Sequence, residues 1–442
     1  MRFLNCNTYT INFQSFCKAE FNVELNNRVC YNIKYKIKFI KVNKMNNRFI
    51  ITDYGVEKNS AELQTEKLQR VFDLCRENGG TVVIPCGEFR TAGLRMWSDT
   101  TLYLESGAKL FGSEECDDYE IFDIPEGVEL RTDMEMISQY YNDRPWAAYR
   151  RAIISVYGGK DIAVIGEEGS LIDGCDCTDP DGEEGYRGPH GLMITNVENL
   201  TLSGYTIANC GNFMHQIDNC RNITIKNVTC LGGSDGAHLH CCKNILIEDC
   251  EFRTGDDCIA GINMENLTVR NCNLNTSCDI FRAGGSHILV ENCRMSGPGE
   301  YPHRMTVVQN RGTALVKDKS NTLPKECGRH NLYGVYLHFA SSNYPADEPY
   351  HDIVFRDCSV ENPEYFLNYE ADNGPLQTGS YLKDITLENV NFTGVKCASS
   401  VRAPKTVPLT VNLKNVTAAF RDDADTDSLF DGKDENTHII IV

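Results

Sequence analysis

Three aspartates are the residues of this chain best placed to do chemistry together. The run Gly255-Asp256-Asp257-Cys258-Ile259-Ala260 begins shortly after Gly233-Ser234-Asp235-Gly236, and Asp256 follows Asp235 by 21 residues. That interval is nearly the period of the surrounding sequence. Asn222-Ile223, Asn244-Ile245, Asn266-Leu267 and His287-Ile288 open similar segments at spacings of 22, 22 and 21. Each reads as a strand followed by a turn. Repeats of roughly 20–50 residues built from β-rich units stack as coils, about 4.8 Å apart. Stacking brings Asp235, Asp256 and Asp257 onto one patch of one face. Carboxylates crowded in this way repel, so they must bind something or share protons.

The register adds a fourth acid. Asp235, Asp257 and Asp279 are spaced 22 and 22, which makes a vertical row if the coils keep step. Such a row can hold a hard cation through oxygen ligands, can share a proton, or can end where Asp279 turns into a loop. His238 and His240 alternate with Leu239 and face one side of their strand, as cleft residues or as plain surface. Arg282 lies just past the acid row, set for a substrate contact or a salt bridge. Cys278 reads as a small packing residue, His287 as a structural residue at a coil start, and the asparagines at coil starts as turn formers that ladder by hydrogen bonds. Trp146 and Tyr301 could stack on a flat ligand or simply pack.

The elements that must hold these residues follow from pattern. Cys230, Cys250, Cys272 and Cys293, spaced 20, 22 and 21 among 21 cysteines, are expected to form an inward ladder of reduced thiols. The spacings lack a zinc pattern, so no structural metal is expected. Residues 60–78 carry Leu63, Leu68, Val71, Phe72, Leu74 and Cys75 at helical intervals, with Ser60 as cap and Gly79-Gly80 as stop. This amphipathic helix is expected to plug the open end of the coil stack. Residues 1–44, with no Gly or Pro, are an atypical extension, and 45–442 form one domain ending in an acidic stretch after Arg421, a solvated tail or a cap. The regular coils span 190–296, lapse over 297–345, and resume at His351, Lys383 and Leu409. The net charge of −19 disfavours nucleic acid and anionic membranes. No stretch is apolar enough for a membrane helix, and the first residues lack the apolar core of a secretory signal.

At this point the chain resembles glycoside hydrolase family 28, the polygalacturonases, over roughly residues 50–420. The resemblance is carried by Asp53-YGV, Gly79-GTVVIPCGEF, Leu102-YLESGAKLFGS, Asp161-IAVIGEEGSLIDG, Arg187-GPHGLMI and Asn209-CGNF. The family's catalytic segments read Asn-Thr-Asp-Gly, Gly-Asp-Asp, Gly-His-Gly and Arg-Ile-Lys. Here they meet Gly233-Ser234-Asp235-Gly236 and an intact Gly255-Asp256-Asp257. Ser277-Cys278-Asp279 replaces the third, so Cys278 stands for the histidine. The Arg-Ile-Lys place falls near Tyr301-Pro302-His303-Arg304-Met305, and Arg304 and Arg282 are the stand-ins for its cations.

The resemblance implies an all-β fold, a right-handed parallel β-helix (solenoid) with an N-terminal capping helix. It implies hydrolysis of pectin-derived or related oligosaccharides with inversion, Asp256 as general acid and Asp235 and Asp257 activating water. Asp279, Arg282, Arg304 and His238 are the expected substrate contacts. No cofactor or metal is expected, the partner is an oligo- or polysaccharide, and the setting expected is cytoplasmic. A polysaccharide lyase and a non-catalytic carbohydrate-binding solenoid are the competing readings.

Overall fold

The computed structural model describes residues 47–130, 146–179, 187–303, 330–373, 376–432 and 434–442, all within one compact unit, Asn46–Val442. The atypical stretch 1–44, Arg304 and the side chain of Trp146 lie outside the described residues. Among these residues there is one α-helix of nine residues, Thr65–Asp73, and 28 strands.

Every strand pairing is parallel, and the pairings sort into three rows that each coil visits in turn. In the first row Ile223 pairs with Ile245, Ile245 with Leu267, Leu267 with Ile288, Ile288 with Ile353, and Ile353 with Ile385. In the second, Ile207, Cys230, Phe252, Leu274 and Met295 stand in one column. In the third, Gln216, His238, Ala260, Arg282 and Leu337 align. The chain is thus a parallel β-helix. Its columns of like aliphatic side chains form a single continuous core, each fully buried Ile, Leu or Val contributing about 1.5–3 kcal/mol of hydrophobic stabilisation.

The turns between rows are built from asparagine. Asn222, Asn244 and Asn266 hold φ of 57°, 57° and 58°, a left-handed conformation that Asn tolerates. Each donates its amide Nδ2 to the preceding coil, at 3.0 Å for Asn222 to Asn199, 3.0 Å for Asn244 to Asn222 and 3.1 Å for Asn266 to Asn244. His287 takes the same turn, with φ 58°, and pairs with Asp352 at 2.8 Å.

Two expectations need correction, and a third is narrowed. The cysteine column runs Cys250, Cys272, Cys293 and Cys358, each thiol facing a carbonyl one coil away. Cys230 stands in a different column, paired with Phe252, because its 20-residue interval misses the 22-residue repeat by two. The helix is shorter than 60–78: Ser60 forms a local turn with the Glu62 N–H, and Gln64 at the N-cap uses its side chain on Glu57. Leu68, Val71 and Phe72 are its buried face, and Gln69 exchanges two hydrogen bonds with the backbone of Arg95. The C-terminal stretch is not simply solvated. Leu429 and Phe430 are buried, and Thr437–Ile441 adds a strand beside Leu409–Lys414, as its run of β-branched residues favours.

Candidate active site

The acids sit in turns that lead into the third row. Asp235 lies between the strands Thr229–Gly232 and Ala237–His240, and Asp256 and Asp257 between Glu251–Thr254 and Ile259–Arg270. Asp279 is the first residue of the strand Asp279–Glu291, so the loop reading of that residue is excluded. The inter-coil ladder continues through these turns: the N–H of Gly236 donates to the Asp257 carbonyl at 3.0 Å, and the N–H of Cys258 to that of Asp279 at 3.1 Å. This continuity stacks the acids.

One carboxylate oxygen each of Asp235, Asp256 and Asp257 lies within 4.8 Å of the others, and Asp257, Cys278 and Asp279 meet the same condition. All four aspartates are buried, 1–6% exposed. The backbone N–H of Asp279 donates to Asp257 Oδ1 at 3.2 Å.

Each acid has a different environment. Burial, then the charges of Asp256 and Asp257, push the Asp235 carboxyl well above the carboxylate range. Its Oδ2 meets His238 Nδ1 at 2.5 Å, and burial pushes that imidazole well below its usual value. The contact is therefore a neutral pair that shares one proton. Burial, Asp256 and Asp279 likewise raise Asp257. Asp256 goes the other way. Burial works to raise it, but His303 and Arg187 outweigh burial and hold it ionised. Arg187 Nη1 lies 2.6 Å from Asp256 Oδ2, both side chains being buried, and His303 Nδ1 is 3.4 Å from Asp256 Oδ1. Burial brings Asp279 up to about 7, against the pull of Arg282. The Cys278 thiol is raised by burial and by the three acids around it.

Of the expected contacts, Asp279, His238 and Arg282 join the site. His238 and His240 are buried, not surface residues, because the ring of Phe213 stacks on His238 with centroids 4.2 Å apart and 11° between planes. His240 faces Asp218 at 3.6 Å, further along the same strand face. Arg282 lies over the ring of Phe339 at 4.5 Å and reaches Asp257 Oδ2 at 3.9 Å. Arg187 and His303 were not singled out for roles in the sequence. Arg187 stands in a segment that carries the resemblance, and His303 beside the missing Arg-Ile-Lys. Nothing in the local pattern of either shows that it closes on Asp256 from 69 or 47 residues away.

The model of "Glycosyl hydrolases family 28" matches residues 131–278, a third of the chain that includes Arg187, Asp235, Asp256 and Asp257. A "Probable polygalacturonase" of Vitis vinifera is 24% identical over 233 residues, 48% of this chain and 43% of its own length. The exo-poly-α-D-galacturonosidase of Dickeya chrysanthemi is 25% identical over 248 residues, 47% of this chain and 41% of its own. The matched region thus spans less than half the length of either relative. Among solved structures, the family 28 exopolygalacturonase of Yersinia enterocolitica superposes with a TM-score of 0.59 at 17% identity, covering 90% of this chain and 78% of that one, which shows a shared fold. With Gly255-Asp256-Asp257 intact and Cys278 in the place of the histidine, the chain is similar to glycoside hydrolase family 28 over residues 131–278.

Proposed function

We propose that the protein is a polygalacturonase-like glycoside hydrolase that cleaves pectin-derived or related oligosaccharides by general acid/base catalysis with inversion. The observation that carries this reading is the trio Asp235, Asp256 and Asp257, buried and mutually within 4.8 Å, with Arg187 and Arg282 beside it. Glycoside cleavage needs a proton for the leaving oxygen and an activated water at the anomeric carbon. Groups whose environments push their proton affinities apart supply both. Here Asp235 and Asp257 are raised and Asp256 is lowered. Charges this close titrate as one unit, so the trio as a whole holds the proton that the family assigns to the Asp256 position.

Arg282 is the cation proposed to meet a uronate carboxylate, with Arg304, while His238 and Asp279 complete the proposed substrate contacts. The fold proposed is right-handed, as parallel crossovers are, with Thr65–Asp73 capping its N-terminal end, and the setting is cytoplasmic.

The test is incubation with a panel of galacturonan, rhamnogalacturonan and neutral pectic oligosaccharides, products being read by mass. The expected outcome is one water gained per cleavage, with Asp256→Asn slower by about 10²–10⁴-fold. An unsaturated product would make the protein a lyase, and no cleavage with retained binding would make it a binding solenoid. The trio is tighter than the about 6.5–9.5 Å usual for an inverting pair, so proton NMR of the first product anomer is the sharpest check of mechanism. Inversion is expected, and retention would overturn the single displacement.

A further inference from the structure

Cys278 replaces an imidazole, yet an imidazole returns to the same place from another part of the chain. Ligand atoms of Asp256, Cys278 and His303 lie within 4.8 Å of one another. The donor set is a thiol, an imidazole and a carboxylate. Hard cations such as calcium take oxygens alone, whereas sulfur with nitrogen favours zinc and its neighbours. The separation of His303 Nδ1 from Asp256 Oδ1, 3.4 Å, is close to the edge of a tetrahedral zinc site, about 3.3 Å for bonds of about 2.0–2.1 Å.

A second observation points to a ligand. Asp257 is 1% exposed, its Oδ2 accepts no hydrogen bond among the described residues and meets only the more distant Arg282 at 3.9 Å, and it belongs with Cys278 to the adjoining group of donors. The backbone also holds the set together. A Cβ on Gly255 would lie 2.0 Å from the Pro302 carbonyl oxygen, so only glycine lets the Pro302-His303 segment approach Asp256.

We infer that Asp256, Cys278 and His303 form a binding site for a divalent cation of the zinc class, with Asp257 beside it. The site is independent of which sugar is cleaved. Because the ion would engage Asp256, it would take that acid out of acid/base work, and zinc would act as a reversible inhibitor.

The experiment uses the full chain, stripped with chelator and dialysed, titrated with zinc chloride by calorimetry and with cobalt(II) by absorption. One tight equivalent is expected, with a thiolate-to-cobalt charge-transfer band. Cys278→Ser is expected to abolish the band, and both Cys278→Ser and His303→Ala to weaken zinc at least tenfold, with circular dichroism confirming that each variant is folded. If His303→Ala fails to fold, the near-isosteric Cys278→Ser carries the decision alone. Failure of the wild type to take up zinc, or affinity unchanged in Cys278→Ser, overturns the site. Both measurements are made without substrate, so their failure is separate from a failure of the hydrolase reading.

Discussion

Asp279 shows most directly how the acid patch charges the fold. Burial raises its carboxyl to about 7, from 3.8 in an unfolded chain, with Arg282 opposing. The folded state therefore holds a proton that the unfolded state gives up between those values. Stability falls as pH rises from about 4 to about 7, and is level on either side. Asp279→Asn removes that slope. The variant should match wild type near pH 4 and exceed it at pH 7–8 by on the order of a few kcal/mol, read as thermal midpoint against pH. A gap that does not widen with pH would show that Asp279 is not buried as a protonated acid. Asp256 is the contrast. Its pairing with Arg187 is of the kind in which losing one partner costs about 3–5 kcal/mol, because the other charge is left buried. The sequence showed the aspartates clearly, since their spacing is local and periodic. It did not show Arg187 or His303 as members, since no period links them to Asp256.

The turn asparagines are the working unit at the scale of elements. Asn244 donates to Asn222 and accepts from Asn266, while its φ of 57° penalises any residue with an ordinary Cβ. Asn244→Ala loses both bonds and keeps the strained turn, for an expected cost of about 2 kcal/mol. Asn244→Gly loses the bonds but relieves the turn, for about 1 kcal/mol. Thermal midpoints of the two variants order the terms, and an alanine variant as stable as the glycine one would show that the backbone strain is negligible. The coil starts were readable because asparagine at a fixed interval has a local reason to be there. The cysteine column was readable only in part. Thiol spacing alone cannot distinguish two inward-facing columns that differ by two residues, and only the register places Val228 where a cysteine was expected and extends the column to Cys358.

The molecule as a whole is acidic, −19 at pH 7, yet brings two arginines to the aspartates of the candidate site. Its seventeen described cysteines are all free, and most are buried where they act as small apolar residues. Denatured protein should therefore give the same thiol titre, at least seventeen per chain, with and without prior reductant; a rise after reduction would reveal disulfides. What the sequence by itself determined is everything that repeats: the coil period, the parallel stacking, the asparagine turns and the convergence of Asp235, Asp256 and Asp257. Each depends on one coil lying above the next, and a fixed interval in the chain becomes a fixed position in the stack. What only the tertiary structure decided is how those acids are charged. Phe213 buries His238 against Asp235, and Arg187 and His303 close on Asp256 from non-repeating segments. Proton affinity depends on burial and on charges within a few ångströms, and neither quantity is written in sequence spacing.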